Sequence, residues 1–597
     1  MRTKLLIPMV LFVVMPLFSQ TLKEAQLPKP NQLSLNYLNS LGQRNILYGQ
    51  TPANFNGDLI IFNHGYIGST ESMLIGNEMY ELAYNAGYKT AFVATTRGEG
   101  LWVNGEILGR AIDQITEHYN EQDAFLVVHS NGGKASEAAL FRENKRNKIK
   151  RVITLGTPFR GTQLADLSQN WWFKWLWSLT GLNDGAALST TYYCESVVRP
   201  YFDNHPLNQP NKYYNLGTWG WNKGHTLFKP VMITAGGYIL LDGGGDNDGV
   251  TPYYSSIRPN GNVILTNDGS KKGDYDHLDI LYGQYSWKYI QPFLKNTNQS
   301  NRKSVQEKEK APTHYEVTSD YQIVYSQNEY DEIILQDDEN VEITIFHENP
   351  QANFSTGENS NRSARVNNYT TQISVDKLKT SDLKIESDSK YVAVVKEPHK
   401  ASINYSFERG KKYPVLSLNV LDDTQEGKVE VSAIITKTVD LYGNPVTKPQ
   451  SEVVNFKWNE SKGEFQLKTN QFSDGVYSLF LTAQSEDHFK RNIASGFAVG
   501  EIPIDIEKPQ EISSPGKLAM LAQDSFDTQI IVKNSLENIE MKIAVYDLNG
   551  RLILNKTVKA NGTKVSLGKE LQKFSRGIYL VKIGTKEGSQ TLKFVKK

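Results

Sequence analysis

The sequence predicts a multidomain protein in which an α/β domain is followed by all-β sandwich domains. At 597 residues the chain is too long for one hydrophobic core, since a domain usually holds roughly 150 residues. From about Asp58 to Leu294, short apolar runs alternate with amphipathic helical stretches, which is the pattern of a parallel sheet covered by helices. After Leu294 helical periodicity becomes scarce. Runs of β-branched and aromatic residues take its place, separated by Asp, Asn and Gly turns.

Residues 1–19 are typical of a cleaved secretion signal. Arg2 and Lys4 precede an apolar run, residues 5–18, that is too short to span a bilayer. A buried N-terminal helix is the alternative interpretation. No later segment is apolar enough to cross a membrane, and the single cysteine, Cys194, excludes an intramolecular disulfide. We therefore expect an exported protein whose stability comes from packed cores.

The charge balance argues against nucleic-acid binding. The 65 basic residues are matched by 65 acidic ones, and no long block of Lys or Arg occurs. A protein that binds nucleic acid usually carries a basic patch or stripe, so this class is excluded early.

Five apolar runs in the first domain, residues 20–295, are predicted to be buried strands of the sheet. They are DLIIF (58–62), YKTAFVA (88–94), AFLVV (124–128), KRVITLG (150–156) and PVMITAG (230–236). Between the second and third runs, apolar residues recur at helical spacing, namely Ile107, Leu108, Ala111, Ile112 and Ile115. The helix that they predict would cover one face of the sheet.

The remainder of the chain divides into three predicted β domains. A polar linker, residues 296–312, precedes a β-sandwich at 313–408 and an Ig-like β-sandwich at 409–500. A second linker at 501–519 leads to a final all-β domain, residues 520–597. In that domain IAVYDLNGRLIL (543–554) predicts a hairpin centred on Asn549 and Gly550, a pair that tolerates the positive φ of a tight turn.

Ser130 is the candidate nucleophile. It follows the buried run AFLVV and precedes GGKASEAALF, a predicted helix, and a sharp turn between strand and helix is the setting of a nucleophile elbow. The usual pattern is G-x-S-x-G, and here Val128 replaces the first glycine while Gly132 keeps the second. A β-branched residue at the strand end can turn into the sheet, so the departure is tolerable. A serine in an ordinary loop is the alternative.

Other segments supply the groups that such a nucleophile needs. IIFNHGYIGS (60–69) leaves an early strand, so the Tyr66 N–H could pair with the Asn131 N–H as a two-donor oxyanion hole. DGGGDNDGVTPYYSS (242–256) supplies Asp248 as the orienting carboxylate, and GDYDHLDILYG (273–283) supplies His277 as the base. The order Ser, Asp, His is that of α/β-hydrolases, which predicts an α/β-hydrolase catalytic domain.

Four segments resemble the matching blocks of secreted bacterial true lipases: HSNGG, VITLGTPFRGTQLAD (152–166), NDGVTPYYSS (247–256) and DHLD (276–279). The likeness covers about residues 55–295. By that match Ser130, Asp248 and His277 correspond to the family's catalytic triad, and Tyr66 and Asn131 to its oxyanion donors. The resemblance implies a serine ester hydrolase that acts on lipid or another ester through an acyl-enzyme, with no required cofactor.

Two departures from the family pattern affect secondary features. Phe159 stands where the family usually has His in TPHRG, which changes a structural contact. The resemblance makes Asp279 a calcium ligand, but Gly283 replaces the Gln expected four residues later. The acidic loop offers a weak calcium site of its own, because Asp246, Asp248 and Gly249 fit only part of an EF-hand pattern. Calcium is therefore possible and not required.

Residues 168–182, SQNWWFKWLWSLTGL, hold Trp171, Trp172, Trp175 and Trp177. In the resembled lipases this region leads into a mobile lid, and exposed aromatics of this density would bind a lipid interface. A buried packing helix is the alternative.

For the whole protein the alternatives are a polyester depolymerase and a non-enzymatic adhesion or polymer-binding protein whose β-sandwiches hold the function.

The final domain resembles the C-terminal sorting domains of type IX secretion substrates. VYDLNGRLIL, SRGIYLVKI (575–583) and LKFVKK (592–597) carry the likeness, which covers about residues 520–597. One more β-sandwich is the alternative. The resemblance implies export to the periplasm, passage through the type IX machinery, and an extracellular or cell-surface location.

Overall fold

The computed structural model describes most of the chain between residues 22 and 596. The described ranges of the first part are 22–66, 68–170, 184–295, 312–326, 330–333, 341–355, 361–375, 384–396, 401–421, 429–485 and 490–504. Those of the last part are 519–523, 528–532, 540–547, 552–559, 564–566, 574, 577–585 and 588–596. Residues 1–504 form one compact unit and residues 505–597 form a second.

An eight-stranded sheet organises the N-terminal domain. Its strands are β1 (Glu24–Gln26), β2 (Ile46–Tyr48), β3 (Leu59–Asn63), β4 (Lys89–Val93), β5 (Ala124–His129), β6 (Ile149–Leu155), β7 (Tyr213–Leu216) and β8 (Asn262–Val263). The spatial order is β1-β2-β4-β3-β5-β6-β7-β8. The strands from β4 to β8 run parallel to their neighbours, and only the β2–β4 pair is antiparallel. β3 and β5 are buried along their whole length because helices cover both faces of the sheet.

The α-helices of this domain are α1 (Leu35–Leu41), α2 (Met79–Asn85), α3 (Leu101–Tyr119), α4 (Gly132–Glu137), α5 (Gln163–Ser168), α6 (Thr191–Tyr193), α7 (Arg199–Asp203), α8 (Lys229–Leu241), α9 (Tyr253–Ser256) and α10 (Gly283–Ile290). The predicted helix between the second and third strands is α3. Leu108, Ala111, Ile112 and Ile115 are fully buried on its sheet-facing side, as the spacing predicts. Four of the five predicted strands are confirmed as β3, β4, β5 and β6.

The fifth predicted strand is wrong, because PVMITAG lies in helix α8. An apolar run without a polar face has neither the helical nor the strand period, so periodicity does not separate the two structures. Pro230 stands in the first turn of the helix, where a proline costs no hydrogen bond. The next sheet strand, β7, comes instead from the YYNL segment, which holds an asparagine among its aromatic residues.

Residues 312–504, here called the β-region, contain two pairs of antiparallel sheets. Their strands are β9 (His314–Ser319), β10 (Tyr321–Tyr325), β11 (Tyr330–Glu332), β12 (Val341–His347), β13 (Phe354–Ser355), β14 (Asn361–Asn367), β15 (Thr370–Val375), β16 (Lys384–Ser387), β17 (Tyr391–Lys396), β18 (Ser402–Glu408), β19 (Val415–Leu421), β20 (Val429–Val439), β21 (Ser451–Asn455), β22 (Lys457–Asn459), β23 (Glu464–Lys468), β24 (Gly475–Ser485) and β25 (Lys490–Val499). One pair has the orders β10-β17-β12-β15-β14 and β11-β16-β13, and the other has β22-β23-β19-β18-β9 and β21-β20-β24-β25.

The predicted boundary between residues 408 and 409 does not follow the sheets. β18 pairs with β19 on one side and with β9 on the other, so strands assigned to two predicted sandwiches lie in one sheet. The strands β10 to β17 therefore form a unit inserted between β9 and β18. Strand pairing is non-local, and a local pattern shows that a strand exists but not which strand it pairs with.

The second unit is all-β, as predicted. Its strands are β26 (Ala519–Gln523), β27 (Thr528–Val532), β28 (Glu540–Asp547), β29 (Leu552–Lys559), β30 (Lys564–Ser566), β31 (Gly577–Thr585) and β32 (Gly588–Lys596). They form the sheets β26-β27-β30 and β29-β28-β31-β32. β28 and β29 pair antiparallel as the predicted hairpin requires, and its turn at Asn549 and Gly550 lies outside the described residues.

Several other predictions also fall wholly or mostly outside the described residues. They are the signal segment 1–19, the linkers 296–312 and 501–519, and the tryptophan-rich segment 168–182.

Candidate active site

Ser130 lies in a strained turn between β5 and α4. Its φ angle is 52°, in the left-handed region that few residues other than glycine adopt. The Ser130 N–H donates to the Leu155 carbonyl at 2.8 Å, and the Ser130 carbonyl accepts from the Gly133 N–H at 3.0 Å. A serine fixed in such a turn between strand and helix has the geometry of a nucleophile elbow, which presents the hydroxyl at the carboxyl edge of the sheet.

Val128 fits this turn without the glycine of the usual pattern. Its side chain is fully buried in β5, where the residue pairs with Asn63 on one side and Thr154 on the other. The small residue is needed at Gly132 instead. A Cβ added there would lie 2.7 Å from the His64 carbonyl oxygen, so the loop after β3 leaves no room for a side chain.

The loop after β3 lies directly against Ser130. A Cβ added to Gly65 would be 2.4 Å from the Ser130 Cβ, so only glycine permits this approach. Tyr66, one of the two predicted oxyanion donors, follows in the same loop and is half-buried. Asn131, the other, immediately precedes α4, where the first N–H groups of a helix have no intrahelical acceptor. The structure therefore brings both predicted donor residues to the nucleophile turn.

A buried polar network holds the Asn131 side chain. Two hydrogen bonds join it to the Ser189 hydroxyl, with heavy-atom distances of 2.8 and 3.1 Å. Lys134, buried on α4, donates to the Ser189 hydroxyl at 3.1 Å and to the Leu188 carbonyl at 2.9 Å. Burial lowers the pKa of the Lys134 ammonium. The sequence pattern did not indicate Lys134, because its partners lie in a distant segment of the chain.

Asp248 and His277 form a buried acid–base pair. The His277 Nδ1 lies 2.8 Å from the Asp248 Oδ2, and a carboxylate only accepts, so Nδ1 carries the proton. The other oxygen, Oδ1, accepts from the N–H groups of Val250 at 3.0 Å and Thr251 at 2.7 Å. The His277 N–H also donates to the Asp248 carbonyl at 2.7 Å. This arrangement fixes the imidazole and leaves Nε2 as the basic nitrogen.

His129 connects the acid–base pair to the nucleophile turn. Its ring centroid is 4.6 Å from that of His277, and its Nε2 lies 2.8 Å from the His277 carbonyl oxygen. Burial lowers the pKa of His129 well below its usual value, so the imidazole is neutral. His277 therefore lies beside the residue that precedes Ser130. Among the described residues the Ser130 hydroxyl makes no hydrogen bond to the His277 imidazole. A hydrogen bond between nucleophile and base often forms only when substrate is bound.

Gly156 is a further residue on which this geometry depends. It has a φ of 59°, and an added Cβ would lie 2.8 Å from the Asp248 Oδ2 and 3.0 Å from the His277 Nδ1. A side chain at this position would therefore separate the acid from the base. The glycine follows β6 in the sequence TLGTP, and that position at a strand end is the only local signal of its role.

A small pocket opens beside the nucleophile turn. Tyr66, Leu101, Asn131, Ala135 and Leu188 are among its lining residues. The pocket therefore lies next to both predicted oxyanion donors.

Asp279 does not have the surroundings of a calcium ligand. Its Oδ1 accepts from the His225 N–H at 3.0 Å, and its Oδ2 lies 3.0 Å from the His225 Nδ1 and accepts from the Asp276 N–H at 3.3 Å. Nitrogen donors thus contact both carboxylate oxygens. Within the described ranges no group of three or more His, Cys, Asp or Glu side chains is placed to hold a metal. Protein nitrogen donors therefore already satisfy the Asp279 carboxylate, which argues against calcium at this residue.

Phe159 takes a structural position, as expected for this departure from the family pattern. It is fully buried, its N–H donates to the Ser255 carbonyl at 2.9 Å, and its ring packs edge-on against Tyr213.

Among the described residues, none of the helices combines the length and the apolar content that a membrane span requires.

Two family profiles match parts of the chain. Residues 54–174 match the PGAP1-like alpha/beta domain, and residues 526–597 match the secretion system C-terminal sorting domain. The second match confirms the sorting domain and indicates export through the type IX system to the extracellular space or the cell surface. None of the curated proteins matches the chain significantly.

Solved lipase and esterase structures are similar to parts of this chain. Lipase BlEst2 of Bacillus licheniformis in its propeptide form is 19% identical, with a TM-score of 0.50 over 75% of this chain and 96% of its own. The mature form is 30% identical, with a TM-score of 0.38 over 42% of this chain and 98% of its own. A metagenomic carboxyl esterase is 15% identical, with a TM-score of 0.28 over 40% of this chain and 75% of its own. The chain therefore carries a domain with an α/β-hydrolase fold, and its residues 526–597 belong to the C-terminal sorting domains of the type IX secretion system.

Proposed function

We propose that this protein is a secreted serine ester hydrolase that acts as a lipase on triacylglycerol or related carboxylic esters. The observation that carries the proposal is the buried Asp248–His277 pair beside Ser130, whose backbone is held in the left-handed region. A carboxylate, an imidazole with its Nε2 available and a serine in a strand-to-helix turn together supply the chemistry of acyl transfer.

In the first half of the proposed reaction, the Ser130 Oγ attacks the ester carbonyl carbon and its proton passes to the His277 Nε2. The carbonyl oxygen becomes an oxyanion that accepts from the N–H groups of Tyr66 and Asn131. Asp248 holds the imidazole in the correct tautomer and stabilises the imidazolium. His277 then protonates the departing alcohol, and the acyl group remains on Ser130.

In the second half, water replaces the alcohol. His277 takes a proton from the water as it attacks the acyl-enzyme, and the same proton returns to the Ser130 Oγ when the carboxylic acid leaves. No metal is needed at any step, because the nucleophile is activated by the imidazole and the developing charge is stabilised by backbone donors.

The test compares wild type, Ser130→Ala and Ser136→Ala on soluble p-nitrophenyl esters of increasing chain length and on emulsified triacylglycerol. We expect kcat of Ser130→Ala to fall by about a thousandfold or more, since the covalent step is lost. Ser136 is a matched control, because it lies buried on α4, the helix that follows Ser130, and its hydroxyl donates to the Gly133 carbonyl. Ester hydrolysis by Ser130→Ala at the wild-type rate would overturn the proposal.

The choice of substrate class is tested by the same series. A lipase should hydrolyse emulsified triacylglycerol and long-chain esters, whereas activity confined to short soluble esters would leave a carboxylesterase and overturn the lipase assignment.

A further inference from the structure

Beyond its first residue, Lys229, helix α8 carries no charged side chain, yet it is not buried on every side. An apolar helix of this kind in a soluble protein is normally enclosed by its neighbours. Its side toward the hydrolase core is enclosed, since Met232, Ala235 and Ile239 are buried. Another side contacts the β-region, where the hydroxyl groups of Thr234 and Thr370 form a hydrogen bond of 3.1 Å.

A third side, together with the residues just before the helix, remains exposed to solvent. Leu227 is 98% exposed, Phe228 is 60% exposed and Leu240 is 50% exposed. Ile233, which is half-buried, lies two turns before Leu240 on the same face of the helix. We call Leu227, Phe228, Ile233 and Leu240 the apolar surface. Two neighbouring exposed large side chains, as at Leu227 and Phe228, mark an interaction site more often than a single one does.

The apolar surface is connected to the loop that carries Asp248. The Asn247 side chain donates to the Gly236 carbonyl of α8 at 3.1 Å. A Cβ added to Gly249 would lie 3.0 Å from the Met232 Cβ, so the loop packs tightly on the enclosed side of the helix. A ligand bound on the apolar surface would therefore lie on the outer side of the element that positions the acid of the site.

The charged residues next to the exposed tip along the chain are basic, and the nearby Asp276 and Asp279, which contact residues 224 and 225, are fully buried. Lys223 and Lys229 flank Leu227 and Phe228, and no aspartate or glutamate occurs from residue 204 to residue 241. Lysines beside exposed Leu and Phe side chains favour an anionic lipid surface, into which the apolar side chains insert while the ammonium groups contact the head groups.

The size of the apolar surface also favours a lipid surface over a protein partner. A stable protein interface buries about 800 Å² on each partner and involves some twenty or more residues. Four side chains with a protruding tip supply much less than this, whereas shallow insertion into a bilayer needs only a few large apolar groups.

We infer that the apolar surface of α8 docks the protein on anionic lipid surfaces and so brings the Ser130 site to esters held in them. The part of this inference that concerns esters rests on the proposed function, but binding to lipid can be measured without catalysis. No covalent step is involved, so the Ser130→Ala protein serves as the parent for every binding measurement.

The experiment is flotation of the full-length Ser130→Ala protein with two kinds of vesicle. One is phosphatidylcholine alone, and the other is phosphatidylcholine and phosphatidylglycerol in equal parts. We expect clear preference for the anionic vesicles. Adding Leu227→Ser and Phe228→Ser should weaken that binding about tenfold or more, since two inserting side chains are lost. Lys223→Glu with Lys229→Glu should remove the preference for the anionic vesicles.

A matched control tests whether any exposed apolar pair would have the same effect. Leu421 and Val453 lie in the β-region and are 59% and 72% exposed, so Leu421→Ser with Val453→Ser removes comparable side chains elsewhere. This variant should bind as the parent does. Equal binding by the Leu227/Phe228 variant and its parent would overturn the inference. So would self-association that those two substitutions abolish in the absence of vesicles, because the surface would then bind a second copy.

Failure of the docking inference and failure of the proposed function give different results. With Ser130 intact, Leu227→Ser with Phe228→Ser should keep the rate on a soluble short-chain ester, because neither residue is part of the site. A protein that hydrolyses soluble esters but ignores vesicles contradicts the docking inference alone. A protein that binds vesicles through these residues but hydrolyses no ester contradicts the proposed function alone.

Discussion

The candidate site has two flanks, an oxyanion flank beside Asn131 and an acid flank beside Asp248, and they differ in how far the β-region covers them. On the oxyanion flank, residues 184–195, here called the Leu188 segment, are held by the β-region. The Tyr193 hydroxyl donates to the Leu441 carbonyl at 2.7 Å, and a Cβ added to Gly443 would lie 2.4 Å from the Leu188 side chain. On the acid flank, α8 touches the β-region along one side and leaves its apolar surface exposed.

The contrast shows that the β-region encloses the Leu188 segment, whereas it covers α8 along one side only, where Tyr238 packs edge-on against Phe346 in a second buried cluster. Buried aromatic residues of both parts, including Tyr192, Tyr193, Tyr315 and Tyr405, belong to one continuous hydrophobic cluster. A flank inside such a cluster is expected to be rigid, whereas a partly covered helix can present a surface to a ligand. The oxyanion flank is thus fixed by the fold, and the acid flank is available for binding.

The largest expected effect is on the acid flank, where Gly156→Ala should remove most of the ester hydrolase activity. The new Cβ would contact both Asp248 and His277, so the pair must separate and kcat should fall by about a thousandfold or more, as for loss of the orienting acid. Steady-state kinetics on a soluble ester measure this. Gly269→Ala is the matched control, because Gly269 has a φ of 68° and no heavy atom within 4 Å of an added Cβ. Equal kcat values for the two variants would contradict the role of Gly156.

The next effect concerns the oxyanion flank, where Glu195→Ala should destabilise the fold. The Glu195 carboxylate is buried and pairs with Arg160 and, at 2.5 Å, with Arg409 of the β-region. Removing it leaves the buried Arg409 side chain without its acidic partner, which typically costs about 3 kcal/mol. Chemical denaturation of the full chain gives the change in unfolding free energy.

Glu408→Ala is the control for that measurement. The Glu408–Lys411 pair lies at the surface of the β-region, and exposed pairs contribute about 0 to 1 kcal/mol. If Glu195→Ala cost no more than Glu408→Ala, the Leu188 segment would not depend on the β-region for its stability.

A smaller effect should appear as a pH dependence where α8 meets the β-region. Burial raises the pKa of Asp242 to about 7, although hydrogen bonds from Tyr321 and Tyr238 oppose the rise. The native protein therefore keeps a proton that the unfolded chain releases at lower pH. Stability from this group is full below the unfolded pKa and is lost as pH rises toward 7, by up to about 1.4 kcal/mol per pH unit.

Two variants test this dependence. Asp242→Asn should flatten the fall in unfolding free energy between about pH 4 and pH 7, because the amide does not titrate. Tyr321→Phe should extend the fall to higher pH, since it removes a donor that favours the charged carboxylate. An unchanged slope in Asp242→Asn would show that Asp242 is not the titrating group.

The smallest expected effect is none at all. Nitrogen donors contact both oxygens of Asp279, so excess chelator should leave the melting temperature and the ester hydrolysis rate unchanged. A melting temperature that falls in chelator and recovers with added calcium would contradict the claim that Asp279 binds no calcium.

Much of the first domain was predictable because its signals are local. Buried parallel strands give short apolar runs, and α3 has a clear helical period, so β3 to β6 and the helix follow from residue pattern alone. The candidate site was predictable for a related reason. Strand, serine and helix are contiguous at Ser130, and the loops that hold Asp248 and His277 follow in the chain order of α/β-hydrolases.

The remaining features depend on neighbours that are distant in sequence. Nothing near Gly156 indicates that its missing side chain makes room for Asp248 and His277. The helical state of α8 depends on packing, since its apolar run has no distinguishing period. The pairing of β9 with β18 joins residues some ninety positions apart, and β-strand partners are set by that tertiary arrangement.

The central claim is that Ser130 is the nucleophile, and covalent labelling with a fluorophosphonate tests it most directly. Wild-type protein should gain one adduct, found by mass spectrometry on the peptide that contains Ser130, and Ser130→Ala should gain none while Ser136→Ala labels as wild type does. An adduct on another residue, or undiminished labelling of Ser130→Ala, would contradict the claim.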